Sequence, residues 1–189
     1  MILLLSPLIF FVIILIKLLM GSPIFFIQNR IGINGVGFNI IKFRTMINNQ
    51  HPKSFSNVTT SEDIRVTKLG KILRKTKIDE IPEFINVILG DMSIVGPRPE
   101  IPEYISKLND KEKIILNVKP GITGPATLKY INEEEILSKQ SNPEEYNEKN
   151  IYKDKISLNI DYVNKLSTIR DFKIMLLTFW SIITNAIKK

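Results

Sequence analysis

The 189-residue sequence predicts an α+β fold that is mostly helical, with a small β-hairpin or sheet and amphipathic helices suited to a membrane interface. Three observations lead to this prediction. Residues 1–27 are almost entirely apolar and carry Lys17 as their only charge. Two short strand-like segments flank a glycine-rich turn, and most remaining apolar residues recur at helical spacing. We therefore expect a membrane-associated N-terminal helix over 1–27 and a single domain over 28–189.

Composition narrows the chemistry that this chain can perform. It has no Cys and a single His, which excludes a thiol nucleophile, a disulfide and a Cys/His zinc site. His51 lies in a polar stretch, so catalysis is expected to use carboxylates, basic groups and a bound cation. The net charge of +7 indicates an anionic partner: nucleic acid, a phosphorylated small molecule or an anionic membrane surface.

The N-terminal helix allows two interpretations. A continuous helix over 1–20 would be about 30 Å long, enough to span the hydrocarbon core once. Ser6-Pro7 interrupts it, because Pro removes a backbone donor and clashes with the preceding turn, and this favours a re-entrant helix. Both alternatives stay open. Lys17 and Arg30 follow the apolar run, so the positive-inside rule places the body in the cytoplasm.

The next segments predict a hairpin followed by a loop. Residues 24–32 and 37–46 have the composition of short strands, and the glycines between them suit a turn better than a nucleotide-binding loop. Residues 47–63 are polar and contain Pro52, so we expect a loop there.

The middle of the chain holds the strongest candidate for chemistry. A basic stretch over 65–77 runs directly into the adjacent carboxylates Asp79 and Glu80. Asp79 could be the N-cap of the following helix. Alternatively, nearby cations and a helix N-terminus would keep the pKa of this carboxylate low, and an ionised carboxylate can attack phosphorus. The second carboxylate could hold a divalent cation.

The remaining segments complete the predicted architecture. Two Gly/Pro-rich stretches, 90–104 and 118–128, are either rigid loops lining a site or turns at a domain edge, and the first contains Arg98 as a phosphate or base contact. Residues 129–155 are read as a solvated helical hairpin or mobile insertion. The C-terminal helix is either packed in the core or lies in a membrane interface. Its apolar face comprises Phe172, Met175, Leu176, Phe179, Ile182, Ile183 and Ala186.

Several segments together resemble the monotopic phosphoglycosyl transferases, also called small bacterial sugar transferases. The resemblance covers most of the chain in order and leaves out the loop near His51 and the insertion. The segments that carry it are Ser6-Pro7, IQNRIGINGVGFNIIKFRTM, RVTKLGKILRKTKIDEIPEFINVILGDMSIVGPRPE, KPGITGPATL and DYVNKLSTIRDFKIMLLT. Asn159 stands where many members of the family carry a carboxylate.

The resemblance implies an enzyme that transfers a phospho-sugar from a UDP-sugar to polyprenyl (undecaprenyl) phosphate with Mg²⁺ and releases UMP. In this family the mechanism is ping-pong, which makes Asp79 the nucleophile and assigns Mg²⁺ to Glu80 and Asp79. Substrate contacts are expected from Lys42, Arg44, Arg65, Pro97, Arg98 and Pro99.

The resemblance also implies a location and partners. The catalytic domain over 28–189 would work at the cytoplasmic face of a bacterial inner membrane, with membrane lipid as a further partner and no nucleic acid. A homo-oligomer remains open. Two alternatives also remain: a membrane-anchored glycosyltransferase that releases UDP, and a non-catalytic scaffold that binds anionic lipid or nucleotide.

Overall fold

The computed structural model describes residues 2–47 and 58–187. Helix α1 (Ile2–Met20) runs through Ser6 and Pro7. Its Val12 and Ile16 are buried four residues apart, hence on one helix face, where they share a core cluster with Phe43 and Leu73 of the body. In the described residues no helix combines the length and the apolar character that a membrane crossing requires.

The predicted hairpin is confirmed. Strand β1 (Phe25–Ile31) pairs antiparallel with β2 (Gly37–Phe43) in a register that joins Phe25 to Phe43. The turn between them is a short 3₁₀ segment, and Gly35 has the positive φ of 77° that glycine adopts without steric cost. In the predicted loop, residues 58–63 are irregular as expected, whereas His51 lies outside the described residues.

Two helices separated by a tight turn lie against this hairpin. Helix α2 (Lys68–Lys75) begins at Thr67, whose hydroxyl accepts a hydrogen bond from Gly70 N at 2.9 Å. A 3₁₀ turn (Ile78–Glu80) connects α2 to α3 (Glu83–Leu89). Asn86 of α3 is buried, accepts a hydrogen bond from Ile41 N at 3.1 Å and donates one to Asn39 O at 2.8 Å. This single side chain joins α3 to the outer edge of β2.

The two Gly/Pro-rich stretches meet in a second, parallel pair of short strands, β3 (Ser93–Val95) and β4 (Gly121–Thr123). Their backbones approach so closely that a Cβ on Gly121 would lie 2.1 Å from Gly96 N. Gly96 N donates to Thr123 O at 2.8 Å, which continues the pairing beyond β3. Rigid packing of backbone on backbone therefore fixes the segment that leads into Arg98.

The segment over 129–155, expected to be a solvated helical hairpin or a mobile insertion, is helical and is tied to the body. Helix α5 (Pro125–Lys129) leads into it, α6 (Glu133–Ser138) and α7 (Pro143–Tyr146) lie within it, and a π-helical segment joins α7 to α8 (Lys153–Asn164). Helix α4 (Pro102–Ile105) precedes them. Leu137 and Ile151 are buried, so this segment is packed on the body rather than fully solvated.

Helix α9 (Thr168–Ile187) turns most of its apolar residues outward. Of the two alternatives for this helix, packing in the core does not hold for Phe172, Leu176 and Phe179, which are more than half exposed. Ile174 lies on the opposite side of the helix: it is buried and packs with Val95 and Tyr162. Helical spacing reveals an apolar face but cannot tell which neighbour, if any, covers it.

Candidate active site

The adjacent carboxylates lie in the tight turn between α2 and α3. Lys77 has φ 56°, a left-handed conformation that reverses the chain after α2 and opens the 3₁₀ turn. Asp79 and Glu80 follow within that turn. Pro82, and not Asp79, is the N-cap of α3, so the capping interpretation of Asp79 is wrong.

Glu80 is held by two cations that come from distant parts of the chain. Lys42 of β2 donates to Glu80 Oε1 at 3.0 Å, and the Arg98 guanidinium donates to both carboxylate oxygens, in one case at 3.4 Å to Oε2. Burial on its own would raise the pKa of Glu80, but Arg98 and Lys42 outweigh it and hold the pKa well below its usual range. Glu80 is therefore a fixed negative charge.

Asp79 has the opposite electrostatic character. It is 8% exposed, and its Oδ1 has no hydrogen-bond partner among the described residues. Burial, together with the neighbouring Glu80 charge, raises the pKa of Asp79 to about 6, against the lowering effect of Lys42, Lys77 and Arg74. The expectation of a low pKa is wrong, because the sequence shows the cations but not the loss of solvent.

A third carboxylate, missed in the sequence, completes the cluster. Glu83 is 0% exposed, and Lys42 Nζ lies 3.0 Å from its Oε1, so one ammonium group is shared by two glutamates. Burial raises the pKa of Glu83, and Lys42 opposes the rise. The spacing of four between Asp79 and Glu83 was the available signal, because residues four apart face the same way on a helix.

Arg98 is placed by the two prolines that flank it. Pro97 O accepts a hydrogen bond from Gly121 N at 2.8 Å, which anchors the segment to β4. Pro99 O accepts one from Arg30 Nη1 at 3.2 Å, which anchors it to β1. Pro97 and Pro99 thus act through their carbonyls to hold the backbone of Arg98 toward Glu80.

Two arginines predicted as substrate contacts have other partners. The Arg44 guanidinium donates to Met20 O, Gly21 O and Ser22 O at 2.6, 2.8 and 3.2 Å and so caps the end of α1. The prediction of Arg44 as a substrate contact is not supported by this geometry. Lys42 contacts Glu80 and Glu83, whereas Arg44, two residues later, contacts the backbone at the end of α1.

Arg65 lines a surface cavity next to the insertion. Its Nε donates to Asp63 Oδ1 at 2.9 Å, and the two side chains line a cavity of 360 Å³ together with Val58 and Asn142. The structure thus joins Arg65 to the insertion rather than to the pair of carboxylates.

Arg74 is the second residue that the sequence analysis did not single out. It lies in the last turn of α2, five residues before Asp79, and its positive charge lowers the pKa of Asp79. Its Nε donates to Glu134 Oε1 at 3.0 Å. The sequence places Arg74 in the basic stretch over 65–77. This stretch contains several other Lys and Arg residues, and nothing in the sequence distinguishes Arg74 from them.

The oxygen ligands available here suit a hard cation. Mg²⁺ is commonly held by one or two carboxylates and completes its shell with water and substrate phosphates. Asp79 Oδ1, buried and without a hydrogen-bond partner in the described residues, fits such a role. Glu80 contributes the neighbouring carboxylate. Across the described residues, no group of three or more potential ligands forms a complete metal cage.

Asn159, the residue in place of a carboxylate, lies on α8. It is buried, and its Oδ1 has no hydrogen-bond partner among the residues described. Asp161, two positions on, pairs instead with Lys165 and Arg170 at 2.6 and 2.7 Å.

Comparison with known proteins identifies the family. The family model described as "bacterial sugar transferase" matches residues 1–185. The uncharacterized sugar transferase EpsL of Bacillus subtilis is 37% identical over 95% of this chain and 80% of its own length. The UDP-glucose:undecaprenyl-phosphate glucose-1-phosphate transferase of Escherichia coli is 34% identical over 97% of this chain and 38% of its own length.

A third relative matches a shorter part. The UDP-N-acetylgalactosamine-undecaprenyl-phosphate N-acetylgalactosaminephosphotransferase of Aeromonas hydrophila is 42% identical over 63% of this chain and 29% of its own length. The chain thus spans most of the Bacillus relative but well under half of the other two. Asp79 and Glu80 lie within a match that runs along nearly the whole sequence. The chain therefore belongs to the bacterial sugar transferase family, a family of transferase enzymes.

Proposed function

We propose that this chain transfers a sugar phosphate from a UDP-sugar to undecaprenyl phosphate and releases UMP. The single observation that carries the proposal is a buried Asp79 beside Glu80, whose charge Lys42 and Arg98 hold in place. The Escherichia coli and Aeromonas relatives are named for reactions of this class, which supports the proposal.

The first half-reaction uses Asp79 as the nucleophile. A carboxylate oxygen of Asp79 attacks the phosphorus that bears the sugar, the bond from this phosphorus to the oxygen of UMP breaks, and UMP leaves with the electron pair. Asp79 Oδ1 is suited to attack because it makes no hydrogen bond that would have to break first, within the described residues. The product is an aspartyl phospho-sugar.

The second half-reaction regenerates the carboxylate. A phosphate oxygen of undecaprenyl phosphate attacks the same phosphorus, and the bond to Asp79 breaks to give the undecaprenyl diphosphate sugar. Lys42 and Arg98 carry the positive charge that offsets the phosphates, and Glu80 fixes both cations in place before substrate binds. A ping-pong order follows, because UMP leaves before undecaprenyl phosphate attacks: Asp79 is the nucleophile of the first displacement and the leaving group of the second.

We further propose that the donor binds with Mg²⁺. The cation would be held by Asp79 and Glu80 together with the substrate phosphates, and it would supply neutralisation of the diphosphate charge. Removing divalent cations with EDTA should stop turnover, and added Mg²⁺ should restore it.

The acceptor is a lipid, so we propose that the enzyme works at the cytoplasmic face of the bacterial inner membrane, with α1 seated in the lipid. Phe10, Leu18 and Leu19 of α1 are more than half exposed, as is a large part of α9. Apolar surface of this kind is typical of membrane contact.

The decisive experiment measures which nucleotide is released. With undecaprenyl phosphate, Mg²⁺ and a panel of UDP-sugars, we expect UMP from at least one donor. With donor alone, mass spectrometry should find a phospho-sugar adduct on Asp79. Asp79→Asn should lose both signals, whereas Asp110→Asn, at an exposed surface ion pair, should keep them. Release of UDP, or full activity of Asp79→Asn, would overturn the proposal.

A further inference from the structure

An ion pair connects the insertion to the neighbourhood of Asp79. Arg74 Nε donates to Glu134 Oε1 at 3.0 Å, and its Nη2 donates to the same oxygen. Glu134 belongs to α6 of the insertion, sixty positions further along the chain. The backbone makes a second link nearby, where Ser61 N donates to Glu134 O at 3.3 Å.

The opposite side of the Arg74 guanidinium is also fixed. Gly70 packs α2 directly onto the end of β2, because a Cβ there would lie 2.0 Å from Thr45 O. This close approach brings Arg74 Nη1 to 3.4 Å from Thr45 Oγ1, a long hydrogen bond to a buried residue. Glu134 and Thr45 therefore hold the guanidinium from two sides.

The held guanidinium belongs to the helix that leads into the turn of the carboxylates. Arg74 lies in the last turn of α2, and the 3₁₀ turn that carries Asp79 and Glu80 follows this helix. Its charge is also among those that lower the pKa of Asp79. An arginine carries five N–H donors, and the contacts to Glu134 and Thr45 use three of them. These contacts leave two N–H donors of Arg74 for a phosphate oxygen of a bound substrate.

We propose that Glu134 is a positioning residue: it holds Arg74 in the orientation that contacts the donor diphosphate while Asp79 attacks. The inference rests on the function proposed above and assigns part of the site to the insertion. An arginine at the end of a helix samples many rotamers, and a carboxylate that accepts from both Nε and Nη2 restricts it to one. Orientation of this kind lowers the barrier because the entropy is lost before reaction.

The test compares two neighbouring glutamates of α6. Glu134→Gln removes the charge that holds Arg74, while the control Glu133→Gln removes the same charge from a pair with Lys155, at 2.6 Å. We expect kcat for UMP release to fall about tenfold in Glu134→Gln with the donor KM changed less than about threefold, and Glu133→Gln to match wild type. Equal kcat in the two variants would overturn the proposal.

A double-mutant cycle separates positioning from a general structural effect. If Glu134 acts through Arg74, then Glu134→Gln should have no further effect on kcat in an Arg74→Ala background. The same tenfold loss in that background would contradict the proposal, because the effect would then bypass Arg74. Wild-type enzyme that releases no UMP with any donor would instead overturn the proposed function, and this inference with it.

Discussion

At the scale of single residues, the site concentrates charge where solvent is scarce. Asp79, Glu80 and Glu83 are all nearly or fully buried; Lys42 contacts Glu80 and Glu83, and Arg98 contacts Glu80. Burying an ionised carboxylate costs free energy unless partners replace the lost water. Glu80 has such partners and Asp79 lacks them on Oδ1 among the described residues. Asp79, the proposed nucleophile, is therefore the carboxylate of the pair whose ionised form is less well compensated.

Replacing Asp79 by a neutral residue should stabilise the protein at neutral pH. The folded state raises the pKa of Asp79 from 3.8 to about 6, so it binds the proton more tightly than the unfolded chain does. Ionisation consequently destabilises the fold as pH rises through this window. In the absence of divalent cations, Asp79→Asn should raise the free energy of unfolding at pH 7 by about 1–3 kcal/mol.

Urea unfolding at several pH values checks this expectation. The advantage of Asp79→Asn should shrink as pH falls from 6 toward 4, where wild-type Asp79 becomes protonated. Asp110→Asn, at an exposed position, should show no such pH-dependent gain. A variant less stable than wild type at pH 7 would contradict the sign of the argument.

The sequence located most members of the cluster but not their relations. Lys42, Glu80 and Arg98 were expected in one site, and the structure brings them into contact. The contact of Lys42 with Glu83, in addition to Glu80, depends on how β2 is aligned against α3. No local sequence pattern encodes that alignment. The partner of Arg44 could not be predicted for the same reason: its guanidinium binds backbone carbonyls at the end of α1, which is distant in the sequence.

At the scale of elements, the site depends on how α3 is fastened to the hairpin. Asn86 bonds the exposed backbone edge of β2 at Ile41 N and Asn39 O, and this edge would otherwise carry unpaired polar groups. The backbone carbonyl of Asn86 accepts hydrogen bonds from Asp91 N and Met92 N, which follow α3. One asparagine thus sets the distance between Lys42 on β2 and the carboxylates.

Loss of this side chain should be costly. Asn86→Ala leaves the Ile41 amide and the Asn39 carbonyl of β2 without their side-chain partner, so the free energy of unfolding should fall by about 1–3 kcal/mol, measured by urea denaturation. The matched control is Asn150→Ala, because Asn150 is exposed and donates only to Tyr146 O within its own helical segment. Equal effects of the two substitutions would show that Asn86 does not fasten α3.

The elements themselves were predictable to different degrees. The hairpin follows from apolar segments around a glycine turn, and it was predicted correctly. The parallel pair β3–β4 was not predicted, because each strand has three residues and no alternation to detect. The two backbones can approach this closely only because Gly96 and Gly121 have no side chains. This requirement depends on the contact between the two segments and cannot be read from either one alone.

At the scale of the whole molecule, much apolar surface remains uncovered. Large apolar side chains of α1, α3 and α9 are exposed in the described residues. The mostly helical α+β class was predicted correctly, because it depends on local patterns. The face of α9 turned outward could not be predicted, because it depends on what lies beside it.

Trp180 offers a direct probe of this surface. It is the only Trp in the chain and is 67% exposed on α9. Added to vesicles containing anionic lipid, the protein should show a blue shift of Trp180 emission as the indole leaves water. Leu176→Asp, on the same helix, should reduce the shift, and Glu148→Gln, at an exposed surface ion pair, should not. An unchanged emission spectrum would contradict membrane contact by α9.

The parallel pair β3–β4 also has a consequence for the order in which the site is assembled during synthesis. The turn that carries Asp79 forms from neighbouring residues, but the segment of Arg98 is anchored by Gly121, which leaves the ribosome later. Closing such a loop costs chain entropy that only the finished contact returns. A nascent chain that ends before Gly121 therefore carries Asp79 and Glu80 without the anchor that holds Arg98 against Glu80, and we expect this contact to form late, after the chain has passed β4.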